Sequence, residues 1–196
     1  MSSIPPFPWT IRATRTVYDN PWLTLLEHDV LNVKGTPHLY TTVHIKRIAT
    51  GVAAIDAEGF VYLVGQHRFP LRAYSWELVE GGCEPGEEPL NAIQRELKEE
   101  AGLVARDWRQ VLTLHLSNML LDEVAFGFLA TGLEIGEAEP EESEVLALRR
   151  VPFTEAIEMV ARGEITDAIT VALLFRVRLM AERGELPGDL NRRVLG

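Results

Sequence analysis

Glu96, Glu99 and Glu100 stand at i, i+3 and i+4 within the stretch Pro89 to Ala101. On an α-helix that spacing gathers three carboxylates on one side. Like charges this close oppose the helix by about 0.2–0.5 kcal/mol per pair. Two readings fit the cluster. It is a solvated helix face, or it is a set of hard oxygen donors of the kind magnesium or manganese prefers. The residues just before the helix bear on the choice. Gly81-Gly82-Cys83-Glu84-Pro85-Gly86-Glu87 is glycine-rich, and glycine lets backbone approach a ligand closely. Carboxylates on one helical face beside a loop carbonyl can hold divalent ions, which polarise a bound oxyanion and activate water.

Pro89 falls where a first helical residue belongs and Gly102 just past the end, so a helix is predicted over Pro89 to Ala101. Leu90, Ile93, Leu97 and Ala101 make its apolar stripe, about a quarter turn from the acids. Upstream, Trp22 to Val33 reads as a strand, Lys34 to Pro37 as a turn, and His38 to Ile45 as an alternating strand. Val52 to Ile55 and Phe60 to Val64 flank Asp56-Ala57-Glu58-Gly59 and predict a hairpin. Downstream come strands near Val111 to Leu116 and Glu123 to Ala130, an acidic loop from Leu133 to Ser143, and a strand near Glu144 to Val151. Helices are predicted near Thr154 to Ala161 and Thr166 to Glu182, the latter with Ile165, Ile169, Leu173, Val177 and Met180 as its apolar face. Strands come first and helices late, so the expected class is an α+β sandwich rather than a wound βαβ sheet.

The 196 residues suit one sizeable domain with a short extra segment. A formal charge of −10 argues against nucleic acid as a partner. It does not exclude phosphorylated small molecules, because a bound cation reverses the field locally. No run reaches the ~18–20 apolar residues of a membrane span. The start MSSIPPFPWT lacks the basic and apolar regions of a secretory signal. The expectation is a cytoplasmic protein with no membrane partner. The single cysteine, Cys83, rules out an internal disulfide framework and a cysteine cage for zinc. His28, His38 and His44 have no ligand spacing.

Gly81, five residues, Glu87, seven residues, then Arg95-Glu96-Leu97-Lys98-Glu99-Glu100-Ala101-Gly102-Leu103 form the full signature of the Nudix hydrolase superfamily, which this chain resembles at every defined position. From average residue frequencies, a chance match in such a chain is on the order of 10⁻⁷. The resemblance implies the Nudix fold, an α/β/α sandwich with a mixed central sheet, preceded here by N-terminal antiparallel strands. It implies hydrolysis of a pyrophosphate bond with Mg2+ or Mn2+. Attack on an anionic phosphate is opposed by charge, so electrostatics and positioning must carry the catalysis. By the resemblance Glu96 and Glu100 are metal ligands, and Glu99 is a further ligand or contacts metal-bound water. The Glu80 carbonyl next to Gly81 completes the inner site. Arg95 pairs with Glu87 to hold loop to helix, and Gly81 and Gly102 are structural members of the motif.

Gly65-Gln66-His67-Arg68-Phe69-Pro70, Ser75-Trp76-Glu77-Leu78-Val79-Glu80 and Gly163-Glu164-Ile165-Thr166-Asp167-Ala168 resemble the ADP-ribose and nucleoside-diphosphate-sugar pyrophosphatase branch. That likeness implies Arg68 as a phosphate ligand, consistent with bidentate recognition of phosphate by guanidinium. It implies an acid on a loop beyond the central strands, with Glu144 aligning first and Glu142 second, as metal ligand or general base. It implies Trp22 as a nucleobase platform, the competing reading being a core or interface tryptophan. Arg47 is a further substrate-binding candidate. Where ADP-ribose pyrophosphatases of this branch carry a proline, the chain has Asn118. The segment Ser117 to Glu123 instead looks like relatives that accept several nucleotide sugars. Asn118 and Asp122 are then candidates to bind a sugar hydroxyl or to form a turn. The expected division is an N-terminal strand extension over 1–47, exchanged between subunits of a homodimer, and a hydrolase domain over 48–196. The expected substrates are nucleotide sugars of the ADP-ribose, ADP-glucose or GDP-mannose type. The alternatives are a nucleoside triphosphate pyrophosphatase and a non-catalytic nucleotide-sugar sensor.

Overall fold

In the computed structural model, residues 4–136 and 146–196 are described. Two compact units emerge, one of residues 1–47 with 115–123 and one of residues 48–114 with 124–196.

The first unit is a three-stranded antiparallel sheet, β1 (Thr10–Asp19), β2 (Leu23–Leu31) and β3 (Pro37–Ile45), in that order. β2 and β3 are the strands the alternating residues predict. Between them Asn32 shapes the turn, its side-chain oxygen accepting from the Lys34 and Thr36 amides at 2.9 and 3.0 Å. β1 has no comparable sequence signal, because every one of its ten residues is exposed. Its pairing is supported instead by the ion pairs Arg12–Asp29 and Arg15–Glu27 on β2. The turn at Ser117 to Leu121 docks on β3, where the Val43 amide donates to the Leu120 carbonyl at 2.9 Å.

The second unit contains β4 (Ala49–Ala54), β5 (Phe60–Arg68), β6 (Ala73–Glu77), β7 (Val79–Gly82), α1 (Pro89–Ala101), β8 (Leu103–His115) and β9 (Val124–Ile135). β10 (Ala147–Pro152), α2 (Phe153–Ala161), α3 (Ala168–Glu182) and α4 (Leu190–Leu195) follow. One sheet runs β7-β4-β9-β8 and is mixed, since β4 is parallel to β9 and antiparallel to β7. The other runs β10-β5-β6. Val52 and Val79 pack in one cluster with Ile93 and Leu97 of α1. The neighbouring Gly51 meets Ile169 and Leu173 of α3. Side chains alternate across a strand, so α1 and α3 cover opposite faces of the mixed sheet. This is the expected α+β layered arrangement.

Three local expectations are corrected. The turn at Asp56 to Gly59 forms, with the Gly59 amide donating to the Asp56 carbonyl at 3.0 Å. Yet β4 and β5 share only the bridge Ile55–Val61 and then enter different sheets. Both strands are buried on both faces, so each needs its own pair of neighbours, and a continuous apolar run carries no register. Leu90 is not in the core of α1 but 38% exposed, and the fully buried Ala92 takes part instead. α3 starts at Ala168 rather than Thr166, because the Asp167 carboxylate caps it by accepting from the Thr170 amide at 2.8 Å.

Candidate active site

α1 opens with Pro89 at its first position and closes on Gly102, whose φ of 63° is the left-handed conformation glycine adopts without strain. The helix therefore ends at Ala101, one residue after Glu100. Ala92, Ile93, Leu97 and Ala101 anchor it. Glu100 is drawn into the same buried surface and is only 7% exposed, while Glu96 and Glu99 are half-buried. A solvated face would leave all three exposed.

The loop before α1 is fitted to this acidic face. A Cβ placed on Gly81 would collide with the carboxyl group and Cγ of Glu96, so glycine is required for the Glu96 side chain to lie against β7. The Gly81 carbonyl accepts from the Thr50 hydroxyl at 3.0 Å. The Glu87 carboxylate accepts from the Glu84 amide at 2.8 Å and closes the loop. Arg95 joins loop to helix more extensively than expected. It donates to Glu87 at 3.1 and 3.3 Å, and its Nη1 reaches Glu96 at 2.8 Å and Glu99 at 3.0 Å. Glu87, followed by Glu96 and Glu99, holds the guanidinium's pKa above its ordinary value, and the Arg95 hydrogen bond holds Glu87's below. Among the described residues no three His, Cys, Asp or Glu side chains already converge as a metal cage. Cys83 is buried, and burial pushes its thiol pKa up.

Arg68, at the end of β5, is gripped by Glu77 of β6. Nε donates to both carboxylate oxygens at 3.1 and 3.0 Å, and Nη2 adds a further bond. Glu77 is 2% exposed, so this charge is held almost wholly out of water. Glu80 of β7 turns its carboxylate to α3, where the Thr170 hydroxyl donates to it at 2.7 Å while accepting from the Leu78 amide at 2.9 Å. Part of Glu80 reaches solvent, but its carboxyl is enclosed between Thr170, Asp167 and Glu77. That burial, followed by the Asp167 charge and a hydrogen bond shared with Asp167, pushes its pKa well above the usual range. Glu77, Asp167 and Thr170 were not singled out from sequence. Their signal lay in the segments around Trp76 and Asp167, but only the fold pairs residues 90 positions apart.

The remaining candidates lie in the first unit or outside the described residues. Trp22 is 63% exposed at the start of the β2 region, beside Asn20, whose side chain accepts from the Trp22 amide at 2.8 Å. Arg47 is exposed. Asn118 is exposed in the turn at Ser117 to Leu121. Asp122 is engaged structurally, accepting from the Ile45 amide at 2.9 Å and meeting His44 Nδ1 at 2.6 Å. Glu142 and Glu144 lie outside the described residues.

The NUDIX domain family matches residues 45–174, which span β4 to α3 and hold the glycine loop and acidic helix together. The chain belongs to the Nudix hydrolase family. It is similar to an ADP-ribose pyrophosphatase of Mycobacterium tuberculosis (strain ATCC 25618 / H37Rv), 35% identical over 73% of this chain and 70% of that protein. It is also similar to a GDP-mannose pyrophosphatase of Escherichia coli (strain UTI89 / UPEC), 34% identical over 51% of this chain and 55% of that protein. The crystal structure of an ADP compounds hydrolase superposes with a TM-score of 0.82 over 94% of this chain and all of that one, at 24% identity, and shares the fold.

Nudix hydrolases generally use divalent metal ions, and the residues present fit such an ion. The donors on the Nudix helix are carboxylates, which suit hard cations. The cradle at Gly81 brings Glu96 against loop backbone, and Glu100, 7% exposed, is carried on the same helix four residues on.

Proposed function

We propose that this Nudix hydrolase cleaves the pyrophosphate bond of nucleoside diphosphate sugars, giving a nucleoside monophosphate and a sugar phosphate, with Mg2+ or Mn2+. The observation that carries the reading is the seating of Glu96 on Gly81 beside the buried Glu100. Glu96, Glu100 and the Glu80 carbonyl would hold the metal, with Glu99 as a further ligand or a contact to its water. When bound, the metal supplies charge to stabilise the diphosphate oxygens and lowers the pKa of water. Arg95 keeps the acids and the loop in one piece and lowers the repulsion among three carboxylates. Arg68 would receive a phosphate oxygen on the guanidinium edge that Glu77 leaves open. Glu144 or Glu142 would serve as a further metal ligand or general base.

The names of the similar proteins, an ADP-ribose pyrophosphatase and a GDP-mannose pyrophosphatase, support a nucleotide sugar as substrate. The site is proposed to function in a cytoplasmic homodimer that exchanges its N-terminal strands. Support comes from β1, exposed along its full length at a sheet edge. Asn118, Arg47 and Trp22 would then contact the sugar and base. Turnover of ADP-ribose, ADP-glucose and GDP-mannose with magnesium tests the proposal directly. Hydrolysis of at least one of them is expected, and faster turnover of deoxynucleoside triphosphates than of all three would overturn it.

A further inference from the structure

Beside Arg68 lies a cavity of about 320 Å³ lined by Arg68, Leu71, Ser75, Glu77, Thr166 and Asp167, among others. Its polar walls come from β6 and from the residues leading into α3. Ser75 is 7% exposed, and its hydroxyl makes no hydrogen bond to protein among the described residues. A hydroxyl that opens onto a cavity and makes no hydrogen bond among the described residues is in position to bind a ligand. Asp167 uses one acceptor site to cap α3 and one toward Glu80, and a carboxylate offers about four. Arg68 spends its inner edge, Nε and Nη2, on Glu77.

The charge in this cavity selects among ligands. One guanidinium faces the carboxylates of Glu77 and Asp167, so a phosphate group placed there would meet net repulsion. An uncharged polyol would not. Its hydroxyls can donate to Asp167 and accept from Ser75 and Thr166, leaving the open edge of Arg68 to the diphosphate, while Leu71 and Pro70 cover an apolar ring face. Arg68 borders both this cavity and the proposed diphosphate position. β7 joins the two places, since Glu80 points to α3 and the next residue, Gly81, carries Glu96.

We propose that this cavity is the subsite for the sugar of the nucleotide sugar, with Ser75 and Asp167 as its specificity-determining residues. The assignment rests on the nucleotide-sugar reading of the catalytic site. Ser75→Ala removes a hydroxyl that makes no hydrogen bond among the described residues. Asp167→Asn keeps an oxygen to cap α3 but loses the charge. Each is assayed against ADP-ribose, ADP-glucose and GDP-mannose, and against the β-phosphate methyl ester of ADP, which has the same type of anhydride and no sugar on its far phosphate.

For the sugar substrates KM is expected to rise about tenfold in each variant, so the KM ratio of sugar nucleotide to methyl ester rises by the same factor. Thermal melting confirms that the variants fold, and Ser75→Ala stands as the test if Asp167→Asn does not. An unchanged ratio overturns the subsite, whether KM is constant or rises equally for both substrate kinds. If the wild type hydrolyses no sugar nucleotide, the functional reading itself falls and the subsite with it. If it hydrolyses them and the ratio holds in both variants, the subsite alone falls.

Discussion

Three carboxylates meet at Arg95, and no single one of them explains why arginine stands there. A lysine could pair with Glu87. It could not also place a second nitrogen within 3.0 Å of both Glu96 and Glu99, because an ammonium has no rigid fork. Arg95→Lys should therefore cost about 1–3 kcal/mol of stability, measured by urea denaturation, and a loss below a few tenths would mean these contacts contribute nothing. Glu100 belongs to a different class. It is nearly buried on the Nudix helix, and its proposed role is to supply charge rather than packing. Glu100→Gln preserves shape and should lower kcat by about 100-fold or more while the circular dichroism spectrum is retained. Turnover near the wild-type rate in that variant would refute the metal assignment.

At the scale of elements, β7 is the piece through which both helices act on the site. Its odd residues, Val79 and Gly81, face α1 and its even residue Glu80 faces α3. Gly81→Ala should push Glu96 away from the loop. The expected result is a loss of kcat and of manganese affinity by about tenfold or more, read by isothermal titration, with the melting temperature changed far less.

Glu80 gives a pH prediction of definite sign. Its pKa in the folded protein is raised by burial first and by Asp167 second. A raised carboxyl pKa contributes stability fully below the unfolded value of about 4.3. That contribution is lost as pH rises through the folded value. Glu80→Gln mimics the protonated form, with an oxygen for Thr170 and an amide for Asp167. At pH 7–8 the variant should melt at or above the wild-type temperature, and the difference should shift toward the wild type as the pH falls to 5. A difference independent of pH would show that Glu80 is ionised in the fold.

At the scale of the whole molecule, the exposed surface of the first unit bears on the proposed exchange of N-terminal strands. β1 is an exposed edge with Val17 and Tyr18 on its surface, and Trp22 is 63% exposed in the same unit. Trp22→Ala should raise KM about tenfold if the ring stacks on the base. If the ring instead anchors two copies, the variant should become monomeric in sedimentation equilibrium. Wild-type KM together with wild-type mass would remove Trp22 from both roles.

The acids, the glycine loop and the helix that carries them were legible in the sequence because their interactions are local. Pro89, Gly102 and the i, i+3, i+4 spacing act within a few residues, so order along the chain specifies geometry. The α+β layering was legible too, from the order of strands and helices. The separation of β4 from β5 was not, because strands buried on both faces show no alternation that fixes a neighbour. β1 was missed for the opposite reason, having no buried face at all. The grip of Glu77 on Arg68 and the contact of Glu80 with Thr170 were also beyond the sequence. Each depends on which strand edge meets which helix terminus, and Glu80 and Thr170 are 90 residues apart. The sequence by itself determined the acidic helix and glycine loop proposed to cut the bond, because their interactions are local. The surroundings of Arg68, and the cavity beside it, were decided only when β6, β7 and α3 packed together.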